Sequence, residues 1–261
     1  MKVIVLIKQV PESTEVRINP ETNTLVREGV KSIINPFDTY ALEEAVLLRE
    51  RLGGTVVVLT MGPPQAREAL QDAIALGADE AILLSDRAFA GADTLATSRS
   101  LAAAIRKLEP YDLIICGKQA IDGDTAQVGP EVAELLDLPQ ATYVRKIREV
   151  AEGRLVAERM VEGAVETVAL PLPALLTVVK DINQPRLPSL KGIMKAKKAA
   201  IPVWTPQEVG VATEEVGLKG SPTAVEKIFV PQVERRGELL EGAPEELAEV
   251  LLGRLQQAGV I

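Results

Sequence analysis

The sequence contains no histidine and only one cysteine, Cys116, among its 261 residues. Without histidine, the chain alone cannot form a Ser-His-Asp or Cys-His catalytic centre, and most types of zinc site are excluded. One cysteine rules out an intrachain disulfide framework and an iron–sulfur cluster ligated by this chain alone. Any redox chemistry must therefore belong to a bound organic cofactor. Because Cys116 ends an apolar run, we interpret it as a buried core thiol and not as a nucleophile.

Aromatic residues make up only 3% of the chain, and 37 acidic residues against 29 basic ones give a net charge of −8. An acidic chain with few stacking platforms is not expected to bind nucleic acid. No apolar run is long enough to span a bilayer, so we expect no direct membrane insertion. The N-terminal apolar run, residues 3–7, is too short for a signal-peptide core. Together with the single cysteine, these features favour a cytoplasmic protein.

Short apolar runs alternate with helical patterns through the first half of the chain. The predicted strands are residues 3–7, 55–60, 80–84 and 112–116, and the predicted helices are residues 39–51, 64–76, 94–108 and roughly 130–136. Alternating β and α segments predict a parallel sheet with helices on both faces.

The pattern changes after about residue 141. A period of two over residues 142–149, 155–160, 167–170 and 174–178 predicts added, antiparallel strands that extend the sheet. From residue 185 the chain is rich in proline and lysine, with a helical pattern only at 244–259. We therefore predict an α/β domain over residues 1–184 and an arm over residues 185–261 that packs on a partner subunit. Apolar residues of this arm are expected to lack a core of their own: Ile201, Val203, Trp204, Ile228 and Val230.

Residues 117–140, GKQAIDGDTAQVGPEVAELLDLPQ, follow a predicted buried strand. A strand, a glycine turn and a helix N-terminus together offer unpaired backbone N–H groups to a phosphate, with Thr125 and Gln127 as neutral donors. In a parallel sheet this loop lies where ligands bind, although an ordinary βα loop has the same composition. The helix could begin at Thr125, capped by Asp124, or at Pro130. The chain has no G-x-G-x-x-G and no Walker A motif.

Several segments together resemble the beta subunit of electron-transfer flavoproteins. They are KVIVLIKQVP (first strand and loop), INPFDTYALEEAV (adenine-side turn and helix), LTMGPPQAREAL (second βα junction), LPLPALLTV (late strand), GIMKAKK (basic C-terminal segment) and DGDTAQVGP, which is similar to the flavin-bifurcating branch. The resemblance covers nearly the whole chain. It implies a flavodoxin-like or adenine-nucleotide-hydrolase-like sheet, with a nucleotide- or flavin-binding domain over residues 1–184.

The resemblance also implies which residues form the sites. The implied cofactor-binding residues are Leu6, Lys8, Asn35, Pro36, Phe37, Asp38, Met61, Asp93, Thr94, Thr97, Gly117, Lys118, Gln119, Ala120, Ile121, Asp122, Gly123, Asp124, Thr125, Ala126, Gln127 and Val128. The implied partner-docking residues are Leu190, as apolar anchor, and Met194. On residue types alone, Asn35–Asp38 and Asp93–Thr97 are simple helix caps, and the lysine-rich docking segment is a solvated loop.

The family has two kinds of beta subunit, and they differ in the nucleotide. The electron-carrier kind holds AMP and has a Cys-Asn-Gln-Thr run where this chain has Thr125-Ala126-Gln127-Val128. The bifurcating kind holds FAD. The run ADTLATS at residues 92–98, which the AMP kind lacks, also favours FAD. Ala126 would leave room for a pyrophosphate. Because Asp122 and Asp124 cannot face phosphates unless Lys8, Lys118 or a partner arginine offsets them, we expect both to point away, capping the helix or holding the loop.

The implied function is that of one subunit of a heterodimer with an alpha subunit. FAD on this chain would take a hydride from NADH, and no side chain need act as a catalytic acid or base. One electron would pass to the alpha-subunit FAD and on to an acyl-CoA dehydrogenase or quinone-reductase-type acceptor, and the other to ferredoxin or flavodoxin. The alternatives are an AMP-holding subunit with a structural role and, less favoured, a free-standing nucleotide-binding regulator.

Overall fold

A computed structural model describes residues 1–12, 17–19, 24–26, 31–151, 153–226, 237 and 239–261. The chain divides into two compact units, Met1–Glu226 and Lys227–Ile261. The strands are β1 (Lys2–Leu6), β2 (Gln9–Pro11), β3 (Arg17–Asn19), β4 (Thr24–Val26), β5 (Ser32–Ile34), β6 (Thr55–Met61), β7 (Glu80–Leu84), β8 (Leu113–Gly117), β9 (Gln140–Ala151), β10 (Arg154–Val161), β11 (Ala164–Pro171), β12 (Ala174–Val178) and β13 (Val203–Trp204). The helices are α1 (Pro36–Leu52), α2 (Arg67–Leu76), α3 (Thr94–Arg106), α4 (Val128–Leu135), α5 (Leu190–Lys198), α6 (Pro206–Val209) and α7 (Pro244–Gln257).

The central sheet has nine of the described strands, in the order β11-β10-β9-β12-β8-β1-β6-β7-β13. Neighbouring strands from β9 to β13 in this order run parallel, whereas β10 pairs antiparallel with both β9 and β11. The predicted α/β fold, a mostly parallel sheet with an antiparallel extension, is confirmed.

Strand β12 corrects one detail of that prediction. It was expected among the antiparallel strands, but it runs parallel to β8 and β9 and lies between them. All five of its residues are buried. An apolar run buried on both faces is typical of a central parallel strand, and this burial explains its place inside the sheet.

Two apolar clusters cover the two faces of the sheet. Alternate residues of β1 enter different clusters, because successive side chains of a strand point to opposite faces. Val3 and Val5 pack with α1 and α2 on one face, and Ile4 and Leu6 pack with α3 and α4 on the other. Burial on both faces explains why the central strands read as continuous apolar runs.

The chain after residue 185 contributes to this core. Ile201 is only 5% exposed and belongs to the cluster on the α1 and α2 face. Trp204 lies on β13, which pairs with β7, and packs against the opposite cluster. The expectation that Ile201 and Trp204 lack a core is therefore wrong, because a two-residue edge strand is too short to show a period in the sequence. Val203 is exposed as expected, and Ile228 and Val230 lie outside the described residues.

In the second unit, the helix expected over residues 244–259 is confirmed as α7, with Pro244 at its first position. Its apolar residues Val250, Leu251 and Leu252 are exposed. None of the described helices is both long and apolar enough to cross a membrane.

Candidate nucleotide-binding site

The candidate site lies at the point where the strand order of the sheet reverses. From β1 the chain continues to β6 and β7 on one side, whereas β8 and β12 lie on the other. Ligands of open parallel sheets bind beyond the carboxyl ends of the strands at such a point. Here the end of β1 presents Lys8, and the end of β8 presents Gly117 and Lys118, so residues predicted from distant parts of the sequence lie side by side.

Asn35 and Asp38, at the start of α1, hold the ends of β1 and β8 together. Asp38 accepts hydrogen bonds from the backbone N–H groups of Lys8 at 2.8 Å and Gly117 at 3.0 Å. The Asn35 amide donates to Gln119 O at 2.8 Å, and its oxygen accepts from the N–H of Ile121 at 3.1 Å.

Asn35 and Asp38 are 0% and 6% exposed. The Asn35 side chain accepts no capping hydrogen bond from a described N–H of α1, which corrects the capping prediction. The side chain bonds instead to the loop across the sheet, because those partly buried backbone groups require partners. The side chains of both residues therefore shape the loop between β8 and α4.

Burial raises the pKa of Asp38 to about 7, against the opposing effect of its hydrogen bonds and of the Lys8 charge. Burial, followed by the negative charge of Asp38, also raises the pKa of the Cys116 thiol far above its usual range. Cys116 is therefore a protonated core thiol, as predicted, and not a nucleophile.

The loop between β8 and α4 has two residues in the left-handed region, Asp124 at φ 50° and Ala126 at φ 53°. Helix α4 begins at Val128, so Pro130 is its third residue. Neither predicted start is correct, although Pro130 does stand in the first turn, where a missing N–H costs no helical hydrogen bond. Among the described residues, no atom accepts a hydrogen bond from the backbone N–H groups of residues 125–129. Consecutive free N–H groups with alternating backbone handedness form a concavity that suits an anion.

Both acidic side chains of this loop already have partners. Lys8 Nζ lies 2.7 Å from each carboxylate oxygen of Asp122. Gln119 Nε2 donates to Asp124 at 2.6 Å, and the N–H of Asp124 donates to Ala120 O at 2.9 Å. Asp124 thus holds the loop, as expected, but it does not cap α4. Lys8 thus offsets the charge of Asp122, and a carboxylate needs such an offset if it is to lie next to a phosphate.

Lys118, at the end of β8, contacts two aromatic rings. Its Nζ is 4.9 Å from the centroid of Phe37 and 5.6 Å from that of Tyr143. These cation–π contacts keep an ammonium group next to the loop. Tyr143, which was not predicted, is brought here by β9, the parallel neighbour of β12.

The remaining predicted residues lie on neighbouring elements. Leu6 is buried in β1, Met61 is half-buried at the end of β6, and Pro36 opens α1. Gly123 is exposed in the loop, and a Cβ added there would meet no atom within 4 Å.

Asp93 and Thr94 are engaged within the chain. Asp93 caps α3 through the N–H of Ala96 at 3.0 Å, which confirms the simple cap. Its second oxygen accepts from the N–H and hydroxyl of Thr223 at 3.1 and 2.8 Å. Thr94 donates to Glu131 of α4 at 3.0 Å. Thr97 is half-buried one turn into α3.

Helix α5 carries the predicted docking residues. Leu190 is 77% exposed and Met194 is 55% exposed. Ser189 caps the helix by accepting from the N–H of Gly192 at 3.0 Å. The lysine-rich segment is therefore a helix and not an irregular loop.

Sequence reasoning missed three residues that organise these regions, Glu43, Glu131 and Arg186. Glu131 accepts hydroxyl hydrogen bonds from Thr94 and Ser98 and so joins α3 to α4. Glu43 is buried and pairs with Arg186. The only signal in the sequence was that Glu43 and Glu50 are seven residues apart, which places them on one face of a helix.

Comparison with known proteins agrees with this geometry. A sequence model of the electron transfer flavoprotein domain matches residues 22–209. The chain is 53% identical over 262 residues to an electron transfer flavoprotein subunit beta of Thermoanaerobacterium thermosaccharolyticum, covering all of both chains. It is 46% identical over 263 residues, again covering all of both chains, to the caffeyl-CoA reductase-Etf complex subunit CarD of Acetobacterium woodii. It is 48% identical over 265 residues to protein FixA of Azotobacter vinelandii, covering 98% of this chain and 94% of FixA.

A parallel sheet with an N–H-rich loop at its switch point defines an α/β protein of the class that associates with flavins and nucleotides. The matches show more narrowly that the chain belongs to the electron transfer flavoprotein family, as a beta subunit acting in electron transfer. Beta subunits of this family normally pair with an alpha subunit.

Proposed function

We propose that this beta subunit binds FAD at the end of β1 and β8 and works in flavin-based electron bifurcation. The observation that carries the proposal is the run of backbone N–H groups at residues 125–129 that have no acceptor among the described residues. Because these donors have no acceptor among the described residues, they are available to the two phosphates of a dinucleotide. FAD bound here would accept a hydride from NADH and release its electrons singly.

The charges around the loop favour a diphosphate. Lys8 pairs with Asp122, and the Lys118 ammonium group lies beside Phe37, so two ammonium groups belong to or contact the loop that carries the N–H groups. With Asp124 bonded to Gln119, neither loop carboxylate is left without a partner. A second negative phosphate therefore meets less repulsion than the two aspartates suggest in the sequence.

Ala126 bears on the choice between FAD and AMP. It adopts φ 53° beside the free N–H groups and has only a methyl side chain. The small side chain leaves the backbone open to a pyrophosphate. The similarity to a subunit of a caffeyl-CoA reductase-Etf complex and to FixA adds support for the bifurcating branch.

The partners follow from the same proposal. The alpha subunit would carry the second FAD and pass one electron to an acyl-CoA dehydrogenase or a quinone-reductase-type acceptor. Ferredoxin or flavodoxin would take the other. Residues 185–226 fold with the first unit, so the part of the expected arm that would pack on the alpha subunit is Lys227–Ile261. Leu190 with Met194 would dock the dehydrogenase.

The test is a count of flavin in the purified heterodimer, with a matched variant. We expect two FAD per heterodimer and oxidation of NADH. Changing Thr125-Ala126 to Cys-Asn should remove the flavin of this subunit and NADH oxidation together, while the alpha-subunit flavin stays. One FAD plus one AMP, with no NADH oxidation after FAD is added, would overturn the proposal and leave the AMP-binding electron carrier.

A further inference from the structure

The docking segment, which we define as residues 187–198, is held at both ends. Its tip, which we define as residues 187–190, is exposed. Leu187 is 88% exposed and Leu190 is 77% exposed. Pro188 restricts Leu187 to extended backbone, and Ser189 caps α5. Two large apolar side chains therefore project from a short, conformationally restricted tip.

Arg186 forms the first anchor, immediately before Leu187. Its guanidinium contacts both oxygens of Glu43, at 2.9 and 3.0 Å, and both oxygens of Glu50, at 2.6 and 3.0 Å. Its backbone N–H also donates to Glu43 at 3.1 Å. One planar group with five donors thus joins two carboxylates on a single face of α1, which a lysine could not do.

Asn183 adds a second set of contacts with α1. Its amide donates to Tyr40 O and to Glu44 Oε2, each at 3.0 Å. The chain entering the docking segment is therefore fixed to α1 from Tyr40 to Glu50, nearly three turns of helix.

The second anchor holds α5 against the end of α2. A Cβ added to Gly192 would lie 2.2 Å from Ala75 O, so the two backbones are in direct contact there. Lys195 Nζ donates to Ala78 O at 2.9 Å, and Ala196 is buried.

We propose that Arg186 is a positioning residue for the docking of the dehydrogenase, and that Leu187 is a second apolar contact beside Leu190. The ion pairs with Glu43 and Glu50 hold the tip in one arrangement. A partner that receives a preorganised tip loses less conformational entropy on binding. The inference rests on the proposed docking role of Leu190.

The experiment measures reduction of a purified acyl-CoA dehydrogenase by the heterodimer. Arg186→Lys keeps a positive charge beside buried Glu43 but cannot contact both carboxylates. We expect it to raise KM for the dehydrogenase about tenfold, with kcat and flavin content unchanged. Leu187→Ala should also raise KM. Arg148→Gln, which removes the ion pair between Arg148 of β9 and Glu158 of β10, is the matched control and should leave KM unchanged.

A double-mutant cycle separates positioning from general destabilisation. If Arg186 acts by presenting the tip, Leu190→Ala should cost less in the Arg186→Lys background than in the unaltered protein. Strictly additive effects, or an unchanged KM for Arg186→Lys, would overturn the inference. If Leu190→Ala itself leaves KM unchanged, the proposed docking surface fails. If it raises KM while Arg186→Lys does not, only the positioning role fails.

Discussion

The buried carboxyl group of Asp38 should make the stability of the fold depend on pH. Its ordinary pKa is 3.8, and burial raises it to about 7 in the folded chain. Between these values the unfolded chain is ionised at this residue while the folded chain is protonated, so the folded state binds more protons. Its stabilising contribution is therefore complete below pH 3.8 and is lost as pH rises to about 7.

The size of the effect follows from the difference between the two pKa values. Three pH units at 1.36 kcal/mol each correspond to about 4 kcal/mol in the free energy of unfolding. Asp38→Asn cannot titrate, so it should remove this slope. The variant also loses one acceptor, because an amide offers a single oxygen to the N–H groups of Lys8 and Gly117. That loss lowers stability by a similar amount at every pH.

The assay is denaturant unfolding of the heterodimer at fixed protein concentration between pH 4 and 8. The quantity of interest is the stability of the unaltered protein minus that of Asp38→Asn, because other titrating groups cancel in this difference. We expect the difference to fall by up to about 4 kcal/mol as pH rises from 4 to 7. The control is Asp137→Asn, which removes an exposed carboxylate outside the site. Its free energy of unfolding should depend on pH as that of the unaltered protein does. A difference that does not change with pH would refute the reasoning.

Two further predictions concern the binding loop. Lys8→Met leaves Asp122 without its partner and should weaken nucleotide binding about fivefold at low salt. Adding Asp122→Asn to that variant should restore most of the lost binding. Binding is measured as the nucleotide retained on dialysis. Recovery absent in the double variant would contradict the charge argument. Gly117→Ala would place a Cβ 2.5 Å from Asp38 Oδ1, so it should lower the free energy of unfolding by about 1–3 kcal/mol, as measured by thermal melting. The control is Gly123→Ala, whose Cβ would have no atom within 4 Å and should cost far less. Equal losses at the two glycines would refute the steric argument.

The sequence predicts the strands of the parallel sheet well, because each is an apolar run closed by a turn or a helical pattern. Strand β7 has the predicted bounds, and β1, β6 and β8 differ from theirs by one residue at each shifted end. Strand order is harder to predict, since β12 pairs with β8 across an excursion of three strands. Its complete burial was visible only as a five-residue run in which Thr177 alone has a polar side chain, a pattern that a short edge strand can share.

The position of the candidate site could be predicted from the sequence, but the hydrogen bonds that its side chains form could not. Asn35 precedes a helix and has the residue type of a cap, yet its amide serves Gln119 O and Ile121 N. Local capping and tertiary hydrogen bonding compete for the same side chain, and partly buried backbone groups of a distant loop prevail here. No local pattern reveals such a competition, because the competing partner is more than 80 residues away.

Helix α1 contributes to both proposed sites through different faces. Asp38 and Glu43 are five residues apart, which corresponds to about 140° around the helix axis. Asp38 therefore faces the ends of β1 and β8, while Glu43 faces Arg186. Because a helix presents these two carboxylates in different directions, a change at Arg186 alters the docking segment without removing a contact of the binding loop. Loss of flavin in Arg186→Lys would show that α1 itself moves, and loss of docking alone would show that the two faces act separately.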